Sequence, residues 1–201
     1  MRGVILAGGA ASRFGGRPKG LETVGGERIL DRLVTAFVDA FGELPLLVAN
    51  DPAANSWRSD LPVVPDVQPG LGALGGILTA VTLGPAPVVV SAWDMPFVSA
   101  PLLRALALGL QSHDAFLPES GGGHGPEPLC AAYGPACQPA IARALERGDR
   151  RAIAFHPQVQ VGILPLEQVR QLGDPATLFF NLNIPDDLAK ADALWRHGSF
   201  R

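Results

Sequence analysis

Between Leu6 and Gly20 the chain reads LAGGAASRFGGRPKG, with two glycine pairs, a hydroxyl at Ser12 and cations at Arg13 and Lys19. Glycines without Cβ atoms let backbone N–H groups approach phosphate oxygens, and cations such as Arg13 and Lys19 neutralise their charge. That combination suits a nucleoside triphosphate. It is not a Walker A loop, because Lys19 is preceded by Pro18 and followed by Gly20, not by Ser or Thr. It is not the dinucleotide fingerprint either, since Gly-x-Gly-x-x-Gly does not occur between Gly3 and Gly20. A plain connecting turn would explain the glycines, but loops of this length without structure of their own are uncommon unless functional.

A second chemical centre is Asp94, at the end of PVVVSAWDMPF, Pro87 to Phe97. Its apolar β-branched run reads as a buried strand, and Met95-Pro96 stops it. A carboxylate at that strand end is a hard oxygen ligand for Mg²⁺, which binds through one or two carboxylates and substrate phosphates. A turn aspartate is the competing reading on position alone. Asn50-Asp51 and Asp66 also fall just beyond strand-like runs. PGLGALGGI, Pro69 to Ile77, is a second glycine-rich segment and leads into a helix, where an anion or a base edge could approach the backbone. Asn181 and Asn183, in NLNIPDDL, stand at i and i+2; on an extended segment they share a face.

The elements that must hold these groups alternate. Strands are expected at Gly3–Ala7, Leu44–Ala49, Pro62–Pro65, Pro87–Ala92, Ala115–Pro118, Leu129–Tyr133 and Val159–Leu164. Helices are expected at Ile29–Phe41, at Gly75–Leu83, from a Ser99 cap through Leu110, at Cys137–Arg147 and at Asp186–Trp195. Strand-helix alternation with apolar strands means an α/β fold with a mainly parallel sheet. In such a sheet ligands bind beyond the carboxyl ends of the strands, where the glycine loop and Asp94 both fall. The glycine- and proline-rich stretch Ser120–Pro128 reads as a surface loop within one domain spanning 1–201.

Composition bounds the function. The 201 residues are 47% hydrophobic and 17% charged, enough to bury a core. A net charge of -3 argues against non-specific nucleic-acid binding. Two cysteines, Cys130 and Cys137, are too few for a disulfide framework, and the four histidines are scattered. The opening apolar run is broken by Gly8, too short for a signal peptide, and no apolar stretch is long enough to span a membrane. A cytoplasmic protein is expected. Of the 16 basic residues only Lys19 and Lys190 are lysines, so a lysine in the glycine loop suggests a place where a planar guanidinium does not serve. The corner Gly148-Asp149-Arg150-Arg151 reads as exposed, with arginines that could meet an acceptor phosphate.

LAGGAASRFGGRPKG resembles the LAGGxSxRxGxxK signature of nucleotidyltransferases of the molybdenum-cofactor guanylyltransferase type. Further resemblances follow in family order: Asp66, PGLGALGG, Asp94-Met95-Pro96-Phe97, the PEPL of His124–Tyr133, and NLNIPDDL. They span Leu6–Leu188, most of the chain. Pro18 before the lysine and Trp93 before Asp94 depart from the family's usual residues. The resemblance implies a single-domain, three-layer Rossmann-like nucleotidyltransferase fold. It implies GMP transfer from GTP to molybdopterin with Mg²⁺ on Asp94 and release of pyrophosphate. Arg13, Lys19 and Asp94 would be catalytic. Leu6, Ala7, Gly8, Gly9, Ser12, Arg13, Lys19, Asn50, Asp66, Gly75, Asp94, Asn181 and Asn183 would bind the ligands, with the choice between Asn50 and Asp51 open. Cofactor-delivery or molybdoenzyme chaperone proteins are implied as partners. A cytidylyltransferase, or another NTP transferase with a phosphorylated acceptor, is the alternative within the class. A non-catalytic nucleotide-binding module is the alternative outside it, and the presence of both Lys19 and Asp94 argues against that.

Overall fold

The computed structural model describes residues 1–8, 18–122 and 125–198. Gly9, Ser12 and Arg13 of the expected site lie outside the described residues.

The strands are β1 (Arg2–Leu6), β2 (Thr23–Val24), β3 (Glu27–Arg28), β4 (Leu46–Val48), β5 (Val63–Val64), β6 (Val88–Ala92), β7 (Ala115–Pro118), β8 (Cys130–Tyr133) and β9 (Val161–Leu164). The helices are α1 (Ile29–Phe41), α2 (Ala54–Trp57), α3 (Gly72–Thr82), α4 (Ala100–Gly109), α5 (Cys137–Glu146), α6 (Leu166–Leu172), α7 (Pro175–Leu178) and α8 (Asp186–His197). Seven strands form one sheet in the order β5-β4-β1-β6-β8-β7-β9; β2 and β3 make a separate hairpin. Only β8 runs against the other six.

Alternation along the strands creates three layers. Ile5, Leu47 and Val89 face a core built with Ile29, Leu33 and Phe37 of α1 and Leu102, Leu103 and Leu106 of α4. Val4, Leu6, Val48, Val88 and Val90 face the opposite core, with Leu74 and Ile77 of α3 and Ile141 of α5. Strands buried on both faces explain the nearly continuous apolar runs. Among the described residues no helix is long and apolar enough to cross a membrane.

The structure adds elements beyond the sequence expectations. The β2–β3 hairpin has two-residue strands, and α2 and α7 are single turns of four residues, too short for periodicity to register. Helix α3 starts at Gly72, three residues before the expected Gly75. Its glycines lower intrinsic helix propensity, but packing against the sheet overrides that weak preference.

After β1 the chain winds outward through β4 to β5, then returns to place β6 on the other side of β1. Leu6 and Ala92 end these two central strands in register. Their carboxyl ends therefore open into the crevice that such a reversal creates.

Candidate active site

The crevice is a cavity of about 830 Å³ lined by Leu6, Ala7, Gly8, Lys19, Val48, Asn50, Asp66, Ala92, Asp94 and Asn183, and by the glycine segment of α3 and Leu129. It gathers residues from seven places in the chain. The Leu6 carbonyl accepts from Trp93 N–H at 3.2 Å, and Ala7 N–H donates to the Val48 carbonyl at 2.8 Å. These bonds extend the sheet pairing past the strand ends and hold the entry to the glycine loop against β6 and β4.

Lys19 re-enters on a single 3-10 turn, Lys19–Leu21, closed by Leu21 N–H on the Pro18 carbonyl at 3.1 Å and Glu22 N–H on the Lys19 carbonyl at 3.0 Å. Pro18 supplies the extended residue before that turn (φ -66, ψ 114). So the departure at Pro18 sets the chain direction into Lys19. Lys19 Nζ lies 3.2 Å from Asp94 Oδ2, with side chains only 13% and 17% exposed. Burial pushes the Asp94 carboxyl above the usual range, while Lys19 opposes the shift.

Two bulky neighbours set this approach. The indole of Trp93 stacks on Trp57 with ring centroids 5.0 Å apart, and a Cβ at Gly20 would overlap it. Only glycine lets the turn carrying Lys19 lie this close to the strand end carrying Asp94. Trp93 Nε1–H is buried without a hydrogen-bond partner among the described residues.

At another wall Asn50 and Asp66 bond reciprocally. Asn50 Nδ2 donates to Asp66 Oδ2 at 2.7 Å, and Asp66 N–H donates to Asn50 Oδ1 at 2.9 Å. The parallel β4–β5 pair brings them together, because each follows one of those strands. Asp51 instead accepts from Ala53 N–H at 2.8 Å and is not among the lining residues, which favours Asn50 over it.

The segment before α8 closes the site. Leu182 is fully buried, and its N–H donates to the Asp94 carbonyl at 3.0 Å. Asp187 accepts from Asn183 N–H and Ile184 N–H at 2.9 and 3.1 Å. Between these ties Asn183 reaches the cavity.

Two of the expected site residues do not line the cavity. Asn181 and Asn183 do not act as a same-face pair: Asn181 is half-buried, donates to the Phe179 carbonyl at 3.2 Å and does not line the cavity. The segment has no extended ladder to impose the two-residue period. Gly75 is likewise displaced by its neighbour: Gly76 lines the cavity, whereas a Cβ at Gly75 would meet Leu71 Cβ at 2.8 Å. Gly70 and Gly72 also line it, at φ +83 and +64, a conformation that favours glycine.

Sequence reasoning passed over Thr79, and it reached Glu127, Leu129 and Arg150 only as members of longer segments. Thr79 is 1% exposed and bonds to Asp66. Leu129 lines the cavity from the start of β8. Glu127 accepts from Leu129 N–H at 2.9 Å, and burial raises its carboxyl, with the Asp94 charge adding to the rise. Arg150 donates to the Gly70 carbonyl at 3.2 Å, so the exposed corner at Gly148–Arg151 touches the cavity rim. Thr79 sits inside the apolar sequence of α3, and no spacing marks it; Glu127 and Leu129 belong to the PEPL stretch, where the resemblance singled out neither residue.

Among the described residues no three His, Cys, Asp or Glu side chains converge to hold a metal. The donor chemistry still fits Mg²⁺, which needs one partly buried carboxylate beside substrate phosphates and not an all-protein cage. Asp94 offers that.

The family described as MobA-like NTP transferase domain matches residues 3–161. A probable molybdenum cofactor guanylyltransferase of Pelotomaculum thermopropionicum is 36% identical over 94% of this chain and 90% of its own length. One from Chloroflexus aggregans is 37% identical over 96% and 94%. Molybdopterin-guanine dinucleotide biosynthesis protein A from Archaeoglobus fulgidus superposes with a TM-score of 0.82 at 27% identity, covering 98% of this chain and all of that one. The chain belongs to the MobA-like NTP transferase family and is a nucleotidyltransferase.

Proposed function

We propose that this nucleotidyltransferase moves GMP from GTP to a molybdopterin cofactor, giving the guanine dinucleotide form and pyrophosphate. The observation that carries the reading is the meeting of Lys19 and Asp94 at 3.2 Å in the same cavity as Asn50 and Asp66. The names of the curated relatives supply the base and the acceptor. We read residues 1–201 as one domain for this reaction and place it in the cytoplasm. The finished cofactor would pass to a delivery or molybdoenzyme chaperone protein.

The two ends of the cavity suit different parts of the nucleotide. Gly8 and Lys19 supply the open backbone and positive charge that a triphosphate needs. Arg13 and Ser12, with Gly9, belong to the same loop and are assigned to the triphosphate with them. Asp66 would repel phosphate, so its partner must present donors, a base N–H or ribose hydroxyls. Asn50, Asp66, Leu6, Ala7 and the backbone at Gly72–Gly76 are assigned to the nucleoside. Asn183 is assigned to the acceptor side.

In the reaction an oxygen of the pterin's terminal phosphate attacks the α-phosphorus of GTP. The new P–O bond forms as the bond to the β-phosphate oxygen breaks, and pyrophosphate leaves. The nucleophile is already anionic, so no side chain needs to act as a base. Catalysis is then positioning and charge neutralisation. Asp94 would hold Mg²⁺, which supplies neutralisation of the phosphate charge as the leaving group departs. Lys19, held by its turn, neutralises the charge gathering on the transferred phosphate.

Pyrophosphate release measured with each of the four NTPs and molybdopterin tests the reading. Release with GTP well above the other three is expected. Preference for CTP would move the enzyme to the cytidylyl class, and no release with any NTP would overturn the assignment.

A further inference from the structure

We infer that Thr79 is a positioning residue for the nucleoside end of this site, holding the Asp66 carboxylate in the one orientation that meets the bound nucleotide. The inference rests on the assignment of Asp66 to the nucleoside.

Thr79 lies inside α3, almost fully buried. A threonine there ordinarily satisfies its own hydroxyl by donating to the carbonyl four residues back, and Gly75 O stands at 3.0 Å. That explanation leaves two contacts over. Thr79 Oγ1 accepts from Val67 N–H at 3.0 Å, and Asp66 Oδ1 lies 3.2 Å away. Both partners are on the connection after β5, twelve and thirteen residues upstream. The hydroxyl therefore fastens that connection to the helix that forms the adjoining wall.

Asp66 is then held on every side. Asn50 takes its Oδ2 and its backbone N–H, while Thr79 meets its Oδ1. The single hydroxyl hydrogen of Thr79 can point to Gly75 O or to Asp66 Oδ1. With Asp66 ionised the carboxylate is the stronger acceptor. Each carboxylate oxygen retains a lone pair for a ligand donor. A side chain fixed before binding loses no rotamer freedom on binding, so its orientation contributes to affinity. Among the described residues the hydroxyl bonds to neither Lys19 nor Asp94, so its loss should appear in nucleotide binding and not in the chemical step.

Calorimetric titration of GTP with Mg²⁺ into the full chain tests this, with inorganic tripolyphosphate as a second probe. Thr79→Val keeps the shape and removes the hydroxyl, and should weaken GTP on the order of five- to tenfold. Tripolyphosphate should bind as before. The steady-state loss should lie in KM for GTP, with kcat little changed, and Thr79→Ser should recover most of the affinity. GTP binding by Thr79→Val equal to wild type would overturn the inference. Equal weakening of GTP and tripolyphosphate would overturn it too, since that marks general distortion. Asp66→Asn separates the two levels of argument. If it binds GTP normally, the placement of the nucleoside fails and the inference with it. If it binds weakly while Thr79→Val is normal, only the role of Thr79 fails.

Discussion

Gly20 lies against the indole of Trp93, and their chain neighbours Lys19 and Asp94 consequently meet at 3.2 Å. A loop residue and a strand-end residue far apart in sequence are brought together by the contact of the residues beside them. The bulky Trp93 and the missing side chain at Gly20 are complementary halves of one arrangement.

Gly20→Ala should therefore displace Lys19 and lower kcat at least about tenfold, since small misplacements of reacting groups are costly. Trp93→Leu in the same chain makes room for the methyl group. The double variant should turn over faster than Gly20→Ala alone. A double-mutant cycle on kcat reads the coupling, and purely additive effects would show that the contact does not set the geometry.

Lys19→Ala should lose turnover by about a hundredfold or more, and Lys19→Arg should recover little of it despite keeping the charge. The Lys19 side chain is only 13% exposed, and a planar guanidinium needs more room than an ammonium. Turnover of both variants at saturating GTP distinguishes this from simple attraction, for which Lys19→Arg would work well.

Asp94→Asn should abolish turnover while the fold survives. Asn keeps the size of the side chain and leaves the backbone carbonyl that accepts from Leu182 N–H. The amide removes a charge that burial disfavours but also the counter-charge of the buried Lys19, so a modestly lower melting temperature with a single cooperative transition is expected. A thermal melt beside the turnover assay checks both halves, and an Asp94→Asn enzyme with near-normal activity would remove Asp94 from the metal site.

His156 offers a pH prediction. Its ring packs edge-on to Phe155 with centroids 4.8 Å apart, and Nε2 is buried without a partner among the described residues. Burial lowers its pKa below the ordinary 6.5. As pH falls through about 6.5 the unfolded chain takes up a proton that the folded chain resists, so stability falls, by at most about 1.4 kcal/mol per pH unit, until the folded ring also titrates. Urea midpoints at pH 7.5 and 5.5 should separate less in His156→Leu than in wild type. An equal separation would show that His156 does not contribute.

Much of the site was legible because its chemistry is carried by short, local signals. A glycine loop after a strand, and acids or amides just beyond strand ends, needed only strand-helix alternation to be placed at one edge of a parallel sheet. Asn50, Asp66, Lys19 and Asp94 all reach the cavity from those positions. That Asn50 and not Asp51 lines the cavity, bonded reciprocally to Asp66, depends on the pairing of β4 and β5.

What local pattern determined was the α/β class, the mainly parallel sheet and the strand ends that carry polar groups, since apolar periodicity and glycine placement act within a few residues. Tertiary structure decided which of those groups converge. Gly76 lines the cavity beside Leu6, while Gly75 lies against Leu71. Asn183 lines the cavity while Asn181 donates back to the Phe179 carbonyl. Thr79 reads as an ordinary helix residue until Asp66 and Val67 arrive beside it. Each of these outcomes depends on contacts between distant segments, and such contacts have no period along the chain.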